Sequence, residues 1–303
     1  MSSKKLRRNV FIQQIQYQFV RLFLLIAKVL PKSLIYLKVK VIFLIGFYCL
    51  KSRRELTVKN LKKVYSLTDD EAYMRAKTVY LQLSQSVAEI LLMFVDRFDI
   101  DKAIENINEA KEKLAALSSN APNGIIVITA HYSNWELAAQ FLARHGLPML
   151  AIGRIGSNKI IERKITTPFR GKYGNRAINK NNSMVAMAKT LKSGGNVGML
   201  IDQKTSGTHS ANVPFFGFDA PTTLSTASLK LKFDPLVVPI SVVRKSCGKY
   251  EIYIDEPIEY KAGEIKEEKE KLVSMTAKYN QAIEHMISRD SSQWFWMHNR
   301  WKW

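Results

Sequence analysis

The run IIVITAHYSNWE, residues 125 to 136, is a block of apolar residues that ends on a histidine and reaches a glutamate five residues later. An imidazole with an ordinary pKa near 6.5 can take a proton from an alcohol at neutral pH. A carboxylate that accepts from its other ring nitrogen fixes the tautomer and stabilises the imidazolium. His131 and Glu136 are therefore candidates for a general base and its orienting acid. Five residues apart on one continuous helix, the two would lie about 140° apart around the axis. The chemistry thus needs His131 in the turn before a helix and Glu136 in the first turn of that helix, reaching back. The plain structural alternative is a capping box, in which Glu136 merely closes a helix start at Ser133.

The elements around this run are those that could position it. GIIVITA, bounded by Pro122 and Gly124, reads as a short buried strand, and NWELAAQFLARHG as a helix stopping at Gly146. LPMLAIGR is a second strand, KIIERKITTPFRGKYG a helix interrupted near Pro168, RAIN a short strand, SMVAMAKTLKSGG a helix, and NVGMLIDQ another buried strand. TLSTASLKLKF is a helix; PLVVPISVVRK and KYEIYIDEPIEY read as closing strands, an antiparallel pair. Helices are expected after Ser66 or Thr68, over 99–118 and over 264–289. Alternating strands and helices predict an α/β fold: a central mixed, mostly parallel sheet covered by helices. In such sheets functional residues gather at the carboxyl ends of strands. His131 and Asp202, which follows the strand GMLI, both occupy that position.

Charge is the unusual feature of the composition: 46 Lys and Arg against 26 Asp and Glu, a net charge of +20. Fifteen of the basic residues and a single acid, Glu55, fall within residues 1 to 65, which also hold the apolar runs FVRLFLLIAKVL and VIFLIGFYCL. Basic and apolar together predict a membrane-associated helical segment over 1–65, followed by one enzymatic domain over 66–303. Charges interrupt the apolar runs, which favours a helix in the interface or a shallow re-entrant pair hinged at Pro31. One tilted span over residues 9–30 is the alternative. Either way the body is expected at the cytoplasmic face, where flanking positive charge belongs. The two cysteines, Cys49 and Cys247, lack metal-ligand spacing and read as idle thiols. With no ligand cluster and no phosphate loop, no metal or nucleotide cofactor is expected.

HYSNWE has the H-x4-D/E form of the glycerolipid acyltransferase superfamily, and its Trp-Glu version resembles the late acyltransferases of bacterial lipid A biosynthesis, the lauroyl and myristoyl transferases. VKNLKKVY, GRIGSNKIIERKI, GGNVGMLIDQ, VPFFGFDAPTTLSTASLKLKFDPLVVPISVVR and QWFWMHNRWK resemble further blocks of that family, in its order and over nearly the whole chain. Tyr132 and Ser133 stand where Phe-Gly is more usual. The resemblance implies acyl transfer from a thioester of acyl carrier protein to a hydroxyl of a lipid A precursor at the inner membrane, with His131 as base and Glu136 as its orienting acid. It also implies a substrate-binding set of Arg154, Asp202, Gln203, Asn134 and Arg163. Of these, Arg154 would meet the oxyanion or a lipid phosphate, and Gln203 would support Asp202. Lys164 and Arg170 are additional phosphate candidates. His298, Arg300 and Lys302, among Trp294, Phe295, Trp296, Trp301 and Trp303, read as an aromatic-basic cluster for the membrane interface.

The partners implied are the acyl-loaded carrier protein, the lipid A precursor and anionic membrane lipids. Nucleic acid is not among them: a binder would need a basic groove interleaved with aromatics or a recognisable motif, and none is present. Another glycolipid or a lysophospholipid as acceptor, and an inactive membrane scaffold, are the remaining alternatives. The scaffold would have no need of His131 and Glu136.

Overall fold

The computed structural model describes residues 3–153, 156–179, 183–205, 207, 209–260 and 265–301, with side chains from residue 10 onward. Four long helices come first: α1 (Ser3–Val29), α2 (Lys32–Cys49), α3 (Lys51–Tyr65) and α4 (Asp69–Phe94). α1 stops at Pro31, which offers no N–H and restricts the residue before it. The Arg97 guanidinium takes up the carbonyls of Ala27 and Leu30 left open there. α2 and α3 meet at a bend of 86°. α4 opens with a capping box between Thr68 and Glu71 and serves as a spine. Ala88 and Leu92 pack on Ala27, Ile35 and Val39 of the first two helices, while Ala76, Val79 and Tyr80 join Phe47, Leu61 and the main core.

Short α5 (Ile100–Ala103) and α6 (Ile107–Ser119) replace the single helix expected over 99–118. The chain breaks between them because Ile104 bridges to Tyr250 and the Glu105 amide donates to the Tyr250 carbonyl. Then follow β1 (Ile125–Thr129), α7 (Trp135–Arg144), β2 (Met149–Gly153), α8 (Lys159–Ile161), a π-helical turn over Glu162–Thr166, α9 (Thr167–Arg170), β3 (Arg176–Asn179), α10 (Ser183–Lys192) and β4 (Asn196–Leu200). A hairpin that the sequence reading missed comes next, β5 (Ser210–Phe215) and β6 (Phe218–Thr223). Its turn places Phe216 and Gly217 at φ 51° and 75°, the left-handed geometry of two-residue hairpins, so Phe-Gly was the signal. α11 (Ser225–Phe233), β7 (Leu236–Arg244), β8 (Tyr250–Ile254) and α12 (Glu268–Ser288) complete the fold.

The six-stranded sheet has the order β3-β2-β4-β1-β7-β8. β3, β2, β4, β1 and β7 run parallel, and β8 pairs antiparallel with β7. This is the α/β fold expected: a mostly parallel sheet with helical cover. Alternate residues of a strand face opposite sides. Ile126, Ile128, Val197, Met199 and Val237 join the core with α12, whereas Ile125, Val127, Val238 and Ile240 pack with Leu137, Phe141 and Leu142 of α7. With both faces covered, the strands read as continuous apolar runs, as buried parallel sheets do.

Candidate active site

Two neighbouring strands bring the central pair together. β1 and β4 are parallel and adjacent, with Thr129 in register with Leu200. Two residues beyond each lie His131 and Asp202, level with one another at the carboxyl edge of the sheet. This is the crevice where the chain passes from β1 to β2 and returns through β4 between them, the place where parallel sheets bind ligands.

Asp202 is buried and grips the histidine twice. Its Oδ1 lies 2.9 Å from His131 Nδ1, and its Oδ2 accepts from the His131 backbone N–H at 3.0 Å and from Trp294 Nε1 at 2.9 Å. A carboxylate is acceptor-only, so Nδ1 carries the proton and Nε2 is left as the basic nitrogen. Burial alone would lower the His131 pKa, but the charge and hydrogen bond of Asp202 outweigh it, with a further contribution from Glu136, and the pKa is raised. For Asp202, burial alone would raise the pKa, yet the His131 charge and the hydrogen bonds hold it below the usual carboxylate value.

This corrects the expected pairing. The carboxylate hydrogen-bonded to the His131 ring is Asp202, 71 residues away, and Glu136 instead faces a different cation. Glu136 Oε1 accepts from Arg170 Nη2 at 2.6 Å and from Arg170 Nε at 3.1 Å. The reason is helical geometry. Asn134 is the N-cap of α7, its Oδ1 accepting from the Leu137 amide, so Glu136 leaves the first turn sideways toward α9 and not back toward the imidazole. The capping box from Ser133 is not the arrangement either.

The turn bearing His131 is fastened to the C-terminal segment. Tyr132 pairs with Trp294 in an isolated β-bridge, the Ser133 amide donates to the Gln293 carbonyl at 2.8 Å, and the Phe295 amide donates to the His131 carbonyl at 3.0 Å. Ser133 has φ 52°, the left-handed region, and its buried hydroxyl has no hydrogen-bond partner among the described residues.

A cavity of about 450 Å³ opens at this site. His131, Glu136, Arg170, Arg176, Thr129, Gln140 and Asn175 are among its polar lining, and Trp135, Phe94, Val127, Ala138, Ala151, Gly198, Leu142, Met149 and Ile240 line much of the rest. It is a slot between one sheet face and α7, with small residues on both walls, notably Ala138 and Ala139 opposite Ala151 and Gly198. An apolar chain fits such a slot.

The other expected site residues divide. Asn134 is fully buried and does not line the cavity; its amide caps α7 and donates to Glu89 Oε2 at 3.2 Å, so its side chain is already occupied. Gln203 is half-buried beside Asp202 and Arg163 is exposed on the π-helical turn; neither lines the cavity. Arg154 lies outside the described residues, as do Lys302 and Trp303. Arg170, considered only as a phosphate contact, turns out to be the partner of Glu136. Nothing in the spacing could have marked that pair.

Most described residues of the closing aromatic-basic cluster pack inside the protein and do not form an interface feature. Trp294, Trp296 and Trp301 are core residues, and Arg300 is fully buried, donating to the Pro221 carbonyl and to Thr222 Oγ1, both at 2.6 Å. His298 Nε2 accepts from the Lys204 amide at 2.9 Å, and burial pushes its pKa down to about 4. The indoles are needed inside, where Trp294 holds Asp202. Among the described residues no group of three or more His, Cys, Asp and Glu side chains could hold a metal ion.

The family described as bacterial lipid A biosynthesis acyltransferase matches residues 4–303. A protein of Haemophilus influenzae named lipid A biosynthesis acyltransferase is 24% identical over 197 residues, which cover 63% of this chain and 60% of that relative's length. With a family match over almost the entire chain, and a histidine-carboxylate pair at the head of an apolar slot, the protein belongs to the bacterial lipid A biosynthesis acyltransferase family.

Proposed function

We propose that the protein transfers a fatty acyl chain from an acyl carrier protein thioester to a hydroxyl of a lipid A precursor at the cytoplasmic face of the inner membrane. The observation that carries this reading is the His131–Asp202 pair at the head of an apolar slot, in a chain of this family. The acceptor hydroxyl gives its proton to His131 Nε2 as its oxygen attacks the thioester carbonyl. Asp202 stabilises the imidazolium that results, as the acid of a serine-type triad does. Collapse of the tetrahedral oxyanion breaks the carbon–sulfur bond, and the leaving thiolate takes the proton back from the imidazolium. No covalent enzyme intermediate is required.

Arg170, held by Glu136, is a cation available at the slot for the oxyanion or for a lipid phosphate, and Arg154 is proposed for the same purpose. Glu136 then acts through Arg170 and through its field at His131, and not as the hydrogen-bonded partner of the imidazole. Arg163 is kept as a phosphate contact and Gln203 as a support of the Asp202 loop. The acyl chain lies in the slot, away from water. The basic N-terminal segment suits both an acidic carrier protein and anionic lipids.

Mass spectrometry of detergent-solubilised protein with acyl carrier protein thioesters tests the reading, with a tetra-acylated lipid A precursor or lysophospholipids as acceptors. Gain of one acyl chain by the precursor, reduced by about 10²–10⁴-fold in His131→Ala, is the expected result. Acylation of lysophospholipid alone would move the acceptor assignment, and no transfer to either acceptor would refute the activity.

A further inference from the structure

The catalytic turn rests on a buried polar group that the mechanism above does not use. Glu89, on α4, is 1% exposed and receives four donors. Asn134 Nδ2 donates to its Oε2 at 3.2 Å and Tyr36 Oη to its Oε1 at 3.3 Å, while the Tyr250 hydroxyl and the Arg244 guanidinium meet Oε2. Arg244, itself buried, also donates to the Tyr250 hydroxyl. The group draws on four elements, α2, α4, β7 and β8, and has one exit toward the active site, the Asn134 amide.

That exit is directional. A carboxylate can only accept, so Glu89 obliges Asn134 to present its NH₂ to Oε2 and its carbonyl oxygen to the Leu137 amide. Asn134 is thereby fixed in rotamer and in flip, with the left-handed Ser133 immediately before it, His131 three residues before it and Glu136 two residues after. Buried charge is costly unless fully paired, and a group that need only hold the fold together can be replaced by apolar residues of similar volume with little loss. Four donors converging on one carboxylate beside the catalytic turn serve a narrower purpose.

We propose that Glu89 is a positioning residue: through Asn134 it holds the turn of His131 and the first turn of α7 in the geometry that acyl transfer requires, so that it governs turnover and not substrate binding. The inference rests on reading the site as an acyl-transfer centre. Tyr250 and Arg244 keep the Glu89 carboxylate aimed at Asn134. Tyr36 ties the same group to the N-terminal segment.

Asn134→Ser tests the link. Serine still caps α7 but cannot reach Glu89, and it leaves the Glu89–Arg244 pair intact. The expected result is a fall in kcat of at least about tenfold, since small displacements of a catalytic group have effects of this size, with KM for the thioester within about twofold and an unchanged melting temperature. Glu89→Met/Arg244→Met/Tyr250→Phe, which replaces the buried group by apolar side chains, should fold and show the same fall in kcat. A folded Asn134→Ser protein with wild-type kcat overturns the proposal whether or not the triple variant folds.

A second readout does not depend on transfer. His131 is partly accessible, so its carbethoxylation by diethyl pyrocarbonate can be followed against pH by mass spectrometry. The midpoint should move in Asn134→Ser as the His131–Asp202 pair loosens, and an unmoved midpoint counts against positioning. If the wild-type protein transfers no acyl group, the functional reading fails, and this midpoint still decides what Glu89 does.

Discussion

In the proposed mechanism His131 serves as a base only while Nε2 is unprotonated, and Asp202 sets when that is. Because the pair raises the His131 pKa, activity should fall as pH drops, with the midpoint of the acid limb of kcat/KM above the ordinary histidine value of 6.5. The linkage has the matching sign. A raised histidine pKa stabilises the fold most at pH below the unfolded value, and that contribution is lost as pH rises through the folded value. The depressed Asp202 contributes above the unfolded carboxylate value and is lost as pH falls through its folded one. In Asp202→Asn burial acts on His131 without its counter-charge, so the surviving acid limb should shift to lower pH, while loss of the correct tautomer lowers kcat by about 10²–10⁴-fold. A pH–rate profile of the two proteins checks both. Ser133 offers a test of stability in the same turn. It carries a side chain at φ 52° and an unpartnered buried hydroxyl, so Ser133→Gly should relieve about 1 kcal/mol and raise the melting temperature by a few degrees.

Elements place these residues through tight approaches between connections. Gly124 precedes β1 at φ 76°, and a Cβ there would lie 2.2 Å from the Gly195 carbonyl oxygen, in the turn leading to β4. β1 and β4 lead to the proposed catalytic pair, so this contact sets how their starts sit side by side. Gly124→Ala combines backbone strain with a collision against another backbone, and is expected to destabilise by about 1–3 kcal/mol. Gly146, at φ 95° after α7, has nothing within 4 Å of its Cβ position, and Gly146→Ala should cost only the strain. Thermal unfolding of the two variants, compared with each other, separates collision from strain. The π-helical turn over Glu162–Thr166 leads directly into α9 and Arg170, which is how a cation from after β2 comes to face Glu136 at the head of α7.

At the scale of the molecule, the N-terminal helices leave much apolar surface uncovered. Among the described residues one helix, over Val10–Val29, is long and apolar enough to cross a membrane, and only 6% of it is buried. Phe11, Phe19 and Val29 are between 66% and 79% exposed, and Leu37, Ile42 and Ile45 continue that character on α2. α1 is nonetheless joined to the body: Asn158 donates to the Gln13 carbonyl at 2.8 Å and to Gln16 Oε1 at 2.9 Å, close to the slot-lining segment. We propose that this surface meets the bilayer. Phe19→Asp/Phe23→Asp should reduce partitioning onto anionic vesicles by at least about tenfold in a flotation assay, since burying each phenylalanine is worth about 1.5–3 kcal/mol. Partitioning of the double variant equal to that of the wild type would refute the proposal. Raised salt should weaken what remains if basic side chains contribute.

The sequence alone determined the strand-turn-helix at residues 125–136, the position of His131 at a strand's end, the alternation that makes a mostly parallel sheet and the antiparallel closing pair. These follow from local pattern, because a buried strand must be apolar along its length and a helix must start at a capping residue. Tertiary structure decided the rest. Asp202 became the partner of His131 because β4 inserts beside β1, and strand order is a property of how crossovers pack, not of spacing along the chain. Glu136 went to Arg170 for the same reason: a helix chooses which neighbour its first turn faces only once it is docked. The tryptophans near the end read as an interfacial belt because aromatic and basic residues alternate there, yet Trp294, Trp296 and Trp301 are buried, since the turn carrying His131 needs Trp294 and Gln293 against it. Composition reports how much apolar and charged surface a chain has; only the packed fold determines which of it water reaches.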